Sequence, residues 1–158
     1  MKIINKILSL CLLSLLLFSA CKKLPDYASE DEAAILAYLA AHNINNYQKD
    51  EDTGICYYFQ IFTNSLKPRP TSEVEVKYTA YNLDDVVLYS HDTTTLRLQL
   101  PQAMVGWRLG LLNFAVGSRG VLIVPSRFAY GREGLAGVVP PNTVLLFDIE
   151  LVDIHPFF

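Results

Sequence analysis

Apolar and polar positions recur with two different periods along this chain, and the change of period divides it. In "SEDEAAILAYLAAHNI", Ile35, Leu36, Leu39 and Ala40 return at helical intervals, with Ser29 and Glu32 at capping-box spacing before them. The pattern predicts an amphipathic helix over 29–45, whose apolar stripe packs on the domain, spaces it, or meets a partner. After "NNYQKDEDTG" the period becomes two. Ile55, Tyr57, Phe59 and Ile61 share one face of a predicted strand. Val74, Val76, Tyr78 and Ala80 alternate with Glu73, Glu75, Lys77 and Thr79 in the next, and "KPRPTS" is the turn between. Leu96, Leu98 and Leu100 repeat the alternation, as do Leu145, Phe147, Ile149 and Leu151, while "GVLIVP" at 120–125 is a short continuous apolar strand. One brief helix interrupts them, "MVGWRLGLL" at 104–112, with Met104 and Trp107 three apart and Val105 and Leu109 four apart. The expected class is α+β, an antiparallel sheet packed on one short helix.

One connection does not fit a plain sheet. "AYGREGLAGVVPPN", 129–142, joins two predicted strands where a hairpin needs only about two to five residues. It keeps Tyr130, Leu135, Val138 and Val139 apolar in a stretch expected to face water. A loop of that kind is expected to hold something.

The N-terminus follows neither period. Lys2 and Lys6 precede an apolar run from Ile7 to Phe18, and "FSAC" closes it. This is the layout of a secretory signal, and it resembles a bacterial lipoprotein signal in which Cys21 becomes the acylated first residue. The alternative, an uncleaved anchor, has only about 14 residues between Lys6 and Cys21, short of the ~20 a spanning helix needs. Four segments are expected: a signal peptide at 1–20, a tether at 21–28, the N-terminal helix at 29–45 and a domain at 50–158.

Composition narrows the choice of function. With 51% hydrophobic and 18% charged residues in 158, the chain holds one domain with a real core and is not a disordered segment. Removing Lys2 and Lys6 leaves 11 of 13 basic residues against 16 acidic ones, a net charge of −5. The basic residues form no stripe for nucleic acid. Cys11 leaves with the signal, Cys21 takes lipid, and Cys56 has no partner, so no disulfide framework is expected. Three isolated histidines and no cysteine pair argue against a structural zinc site.

The pieces "VEVKYTAYNLDD", "GWRLGL", "VGSRGVLIVPSRFAYG" and "VVPPNTVLLFDIEL", in this order and spacing between about Ile55 and Ile154, closely resemble the FKBP-type peptidyl-prolyl cis-trans isomerases. The resemblance implies a five- or six-stranded antiparallel sheet wrapped around a short helix, with the active site in the hollow between them. It implies Trp107 as the floor, Tyr78, Met104, Val139 and Phe147 as walls, and Tyr130 at the rim as a donor to the peptide carbonyl. Leu88, Tyr89 and Leu135 are expected to complete the substrate site. Without the family, ordinary core is the commoner fate for Trp107, Tyr78 and Phe147. Tyr130, between Ala129 and Gly131 in a loop, reads as a binding group. Gly131, Gly134, Gly137 and Pro140-Pro141 would shape a flap that brings Tyr130 and Val139 over a prolyl ring. The implied reaction needs no metal, cofactor or nucleophile. The implied partners are proline-containing polypeptide segments and, as inhibitors, macrolides, with the membrane reached through the lipid and a monomeric domain facing the periplasm.

Departures from the family pattern bear on activity. Where the family carries "FDS", this chain has Leu88, Tyr89 and Ser90, and its usual turn glycine is Asp85. About four residues are missing between Ser90 and Leu96, and with them an arginine that pairs with the aspartate; Arg97 falls on the wrong phase to replace it. Two readings follow: an isomerase that assists folding of exported proteins, with activity reduced by about tenfold for want of the carboxylate, or a binding or chaperone module of the same fold with little or no turnover.

Overall fold

The computed structural model describes residues 27–155. The expected signal peptide, Cys21 and most of the expected tether lie outside the described residues. Helix α1 spans Tyr27–Ala41, followed by strands β1 (Gln48–Lys49), β2 (Cys56–Ile61), β3 (Glu73–Tyr81) and β4 (Val87–Gln99). Helix α2 (Val105–Gly110), β5 (Arg119–Val124) and β6 (Leu145–His155) complete the chain. The six strands form one sheet in the order β1-β2-β5-β6-β3-β4, every neighbouring pair antiparallel.

Each face of this sheet is covered by a different helix. On one face Val74, Val76, Tyr78 and Ala80 of β3 join Phe147, Ile149 and Leu151 of β6 and Trp107 of α2 in the main core. Gly106 lets α2 lie directly on β5, because a Cβ there would come within 2.3 Å of Val124 Cγ1. On the other face Ile35 and Leu39 of α1 pack on Cys56, Val121, Ile123 and Leu146. The continuous apolar run of β5 follows from this arrangement: Leu122 and Val124 enter the first core, and Val121 and Ile123 the second.

Helix α1 differs at both ends from the sequence expectation. It begins at Tyr27, inside the expected tether, so Ser29 and Glu32 are not a capping box. Glu32 instead accepts from Lys49 Nζ at 2.7 Å. Asp31 carries the attachment: it is buried, and its Oδ2 accepts from the backbone N–H and hydroxyl of Ser126 at 2.8 and 2.7 Å. The helix stops at Ala41 because Asn43 takes a left-handed φ of 56°. The Asn43 N–H then donates to Ala40 O and the Ile44 N–H to Leu39 O, closing a Schellman cap.

Ile61 also departs from expectation. A register shift between Phe59 and Ile61 turns its side chain out of the core, leaving it 55% exposed. Strand β4 runs without interruption through the region that is short relative to the family. Its residues 92–95 loop outward where Val76 pairs with Leu96 and Tyr78 with His91. The β3–β4 turn is closed by Asp85 with φ of 58°, an aspartate adopting the conformation usual for glycine.

Candidate active site

A hollow of about 540 Å³ opens between α2, β3, β4 and the loop after β5. Its aromatic end is built from elements far apart in sequence. Tyr78 comes from the inward phase of β3, Tyr89 from β4, Met104 from the N-cap of α2, Trp107 from the following turn, and Tyr130 from the loop. The Trp107 ring is 4.8 Å from Tyr78, nearly perpendicular to it. Tyr89 meets Tyr78 edge-on at 5.9 Å. Such offset contacts fix ring positions at about 0.5–1.5 kcal/mol each beyond burial.

Phe147 does not line the hollow. It is fully buried on β6, one layer beneath, with its ring 5.3 Å from Trp107, 6.2 Å from Tyr78 and 6.5 Å from Tyr89. Its place in the middle of the sheet makes it the support on which three wall residues rest. Val139 is likewise buried in the main core instead of standing over the cavity. Leu88, the extra residue of a bulge where Ala80 pairs with Tyr89 and Tyr81 with Val87, packs against that same core but is not among the residues lining the hollow. Leu135 sits on the outer side of the loop, 39% exposed, joined to Val139 by a two-residue bridge.

That loop is a built flap. Gly131, Gly134 and Gly137 all have left-handed φ. At Gly134 a Cβ would meet Val139 O at 2.3 Å, so the two arms close only over a hydrogen there. Gly131 N donates to Ser126 O at 2.8 Å and Asn142 N to Gly131 O at 2.7 Å, which pins the base of the flap beside Tyr130. The Tyr130 hydroxyl is 3.5 Å from that of Tyr89.

The other end of the hollow is polar, and the sequence reading missed it. Glu73, Arg97, Gln99 and Gln102 line it together with Leu96, Leu98 and Ala103. Arg97 does face the site, contrary to its expected phase, because β4 is the edge strand and the hollow wraps its rim; its Nε donates to Glu73 Oε1. Gln102 Nε2 donates to Gln99 Oε1 at 3.1 Å. Their only sequence signal was alternation at the end of a strand whose pairing was not visible.

Burial dominates the electrostatics of the aromatic end. Desolvation, followed by the neighbouring Tyr130, holds the Tyr78 and Tyr89 hydroxyls above the usual phenol range, so both remain neutral donors. The indole N–H of Trp107 is buried without an acceptor among the described residues. Cys56 lies on the other face of the sheet, and burial pushes its thiol up to about 11, which makes it an unreactive core residue. No cluster of three or more metal-ligating side chains occurs among the described residues.

A cavity of this kind suits an apolar ring followed by a peptide carbonyl. A prolyl amide crosses a barrier of ~18–20 kcal/mol when it rotates, because resonance is broken. The twisted form is less dipolar than either planar form, so a dry aromatic surface disfavours it less than water does. Rigid rings and one neutral donor are sufficient for that task.

Comparisons with known proteins agree with the geometry. The sequence model of the FKBP-type peptidyl-prolyl cis-trans isomerases matches residues 64–152, more than half of the chain. FK506-binding protein 2 of Candida glabrata is 37% identical over 94 residues, covering 56% of this chain and 69% of that protein. The isomerase FkpA of Escherichia coli is 30% identical over 140 residues, covering 87% of this chain and 52% of its own length. The crystal structure of a peptidyl-prolyl cis-trans isomerase from Pseudomonas syringae superposes with a TM-score of 0.70 at 26% identity, over 85% of this chain and 99% of that one. With the matched segment, the sheet wrapped on α2 and the aromatic hollow all in agreement, this chain belongs to the family of FKBP-type peptidyl-prolyl cis-trans isomerases.

Proposed function

We propose that this FKBP-type isomerase acts on Xaa-Pro bonds of polypeptides folding in the bacterial cell envelope, held there by lipid on Cys21. The prolyl ring lies on Trp107 between Tyr78, Tyr89 and Met104, and Tyr130 donates to the carbonyl beside it. The observation that carries the catalytic reading is the hollow itself: neutral phenols and an indole converge on one aromatic surface. A macrolide of the type bound by FK506-binding proteins would compete for the same surface. The "FSAC" boundary and the short run after Lys6 carry the anchoring reading. "KKLPDYA" is then a short link that keeps a monomeric domain near the membrane on the periplasmic side. Stable retention requires more than one acyl chain on Cys21.

Magnetisation-exchange NMR on a short Leu-Pro peptide tests the catalysis. Accelerated cis-trans exchange, abolished by a macrolide, is the expected result. Peptide binding without acceleration would establish the alternative, a binding module of the same fold. Mass spectrometry of the mature N-terminus tests the anchor. A diacylated or triacylated Cys21 is expected, and Cys21→Ser should release the protein or leave it unprocessed.

A further inference from the structure

We propose that Arg97 makes this hollow selective for clients with an acidic residue beside the proline. The inference rests on the reading that the prolyl ring occupies the aromatic end, which leaves the residues flanking it to run along the polar end. Among the residues lining the hollow only Glu73 and Arg97 carry charge, and they are unequally presented. The Arg97 side chain is 55% exposed and that of Glu73 20%, so the cation is the outward member of the pair. The pair engages Nε of the guanidinium and leaves both Nη groups without a hydrogen-bond acceptor among the described residues. Glu75, directly across the ladder from Arg97, is drawn instead toward His155, whose Nε2 is 3.5 Å from its carboxylate.

This arrangement offers a planar fork of donors at the rim of a cavity whose aromatic end holds no carboxylate. A Glu or Asp beside the proline can accept from the fork, as guanidinium geometry favours. A Lys in the same place meets like charge. The amides of Gln99 and Gln102 are joined to each other and carry no charge, so the Arg97 guanidinium is the one cationic group lining the hollow that can meet the flanking side chain.

The test uses capped tetrapeptides differing only at the residue before or after proline: Glu, Gln, Lys or Leu. For each form of the enzyme the readout is the ratio of kcat/KM for Glu over Gln and Lys over Gln, which cancels any general loss of activity. The expected Glu:Gln ratio is about three- to fivefold, as for an exposed ion pair, with Lys:Gln below one, both shrinking in high salt. Arg97→Gln, which leaves the Glu73 carboxylate unpaired, should bring Glu:Gln to one or below and Lys:Gln to one or above, and Glu73→Gln, which frees the guanidinium, should raise Glu:Gln further. Turnover with flat ratios in the parent, or ratios unchanged by Arg97→Gln, would overturn the inference while leaving the isomerase reading intact. Absence of turnover on every peptide, Leu included, would overturn both.

Discussion

The hydroxyls of Tyr89 and Tyr130 stand 3.5 Å apart across the mouth of the hollow, although the two residues are 41 positions apart in the chain. That separation is at the long limit of a hydrogen bond, so Tyr130 remains able to turn to a ligand carbonyl. Tyr130→Phe removes one hydrogen bond and almost no apolar area. It should weaken peptide or macrolide binding by about 1 kcal/mol, roughly fivefold in Kd, without loss of fold. Trp107 is the only tryptophan in the sequence and lines the hollow, so its fluorescence reports binding directly. Tyr89→Phe keeps the ring against Tyr78 and should leave Kd within about twofold. Tyr89→Asp would trade buried ring area for a carboxylate in a desolvated place. The structure therefore predicts no gain in kcat/KM from it, whereas treating the site as freely exchangeable predicts a rise.

Phe147 supports three wall rings from beneath. Phe147→Ala should destabilise the domain by about 3–5 kcal/mol through lost burial and the cavity left behind. Phe147→Leu, closer in volume, should cost less than about 1.5 kcal/mol yet still lower kcat/KM, because the rings above would lose their fixed positions. Urea denaturation followed by circular dichroism, together with the exchange assay, separates the two effects.

Asp31 ties α1 to the turn after β5 through two hydrogen bonds to Ser126. Asp31→Ala leaves the Ser126 N–H and hydroxyl unpaired and should cost about 1–3 kcal/mol. Because α1 covers the face opposite the hollow, kcat/KM should be unchanged. Hydrogen exchange should show α1 amides losing protection first; equal loss across β3 and β6 would show that the bond supports the whole domain.

His42 stacks on Tyr38 at 4.0 Å, and its Nε2 is 3.2 Å from Asp85 in the β3–β4 turn. Its pKa is raised above the ordinary 6.5, first by its hydrogen bond to the Tyr38 carbonyl and then by Asp85. A raised folded pKa means the contribution is fully present below about 6.5 and is lost as pH rises through the folded value. The helix–turn contact should therefore loosen as pH rises above about 6.5, the effect being small for so exposed a group. His42→Gln should flatten the dependence of Tm on pH across that window, and a parent Tm that does not change there would refute the link.

Periodicity was sufficient to read β3, β6 and α2, since a residue's face follows from local geometry alone: two per repeat in a strand, 3.6 in a helix. It placed Trp107 on the short helix without giving that ring a role, which only the family resemblance implied, and Tyr130 stood out by its loop. Periodicity says which side chains share a face, but it carries no information about what covers that face. Hence β5 showed only as an unbroken apolar run, and its division between two cores had to await the packing of α1 on one side and α2 on the other. The wall positions of Phe147 and Val139 came from the family resemblance, and both are buried and absent from the lining of the hollow; the missing information on what covers a face hid Arg97 at the rim of an edge strand whose neighbour lies 24 residues away in the chain. The end of α1 at Asn43 and the grip of Asp31 on Ser126, 95 positions distant, likewise depend on groups brought together only when the sheet closes. Local hydrogen bonding and side-chain phase are written in neighbouring residues; burial, partner and orientation toward the hollow are properties of the assembled chain, because they arise between segments whose separation in sequence does not constrain their distance in space.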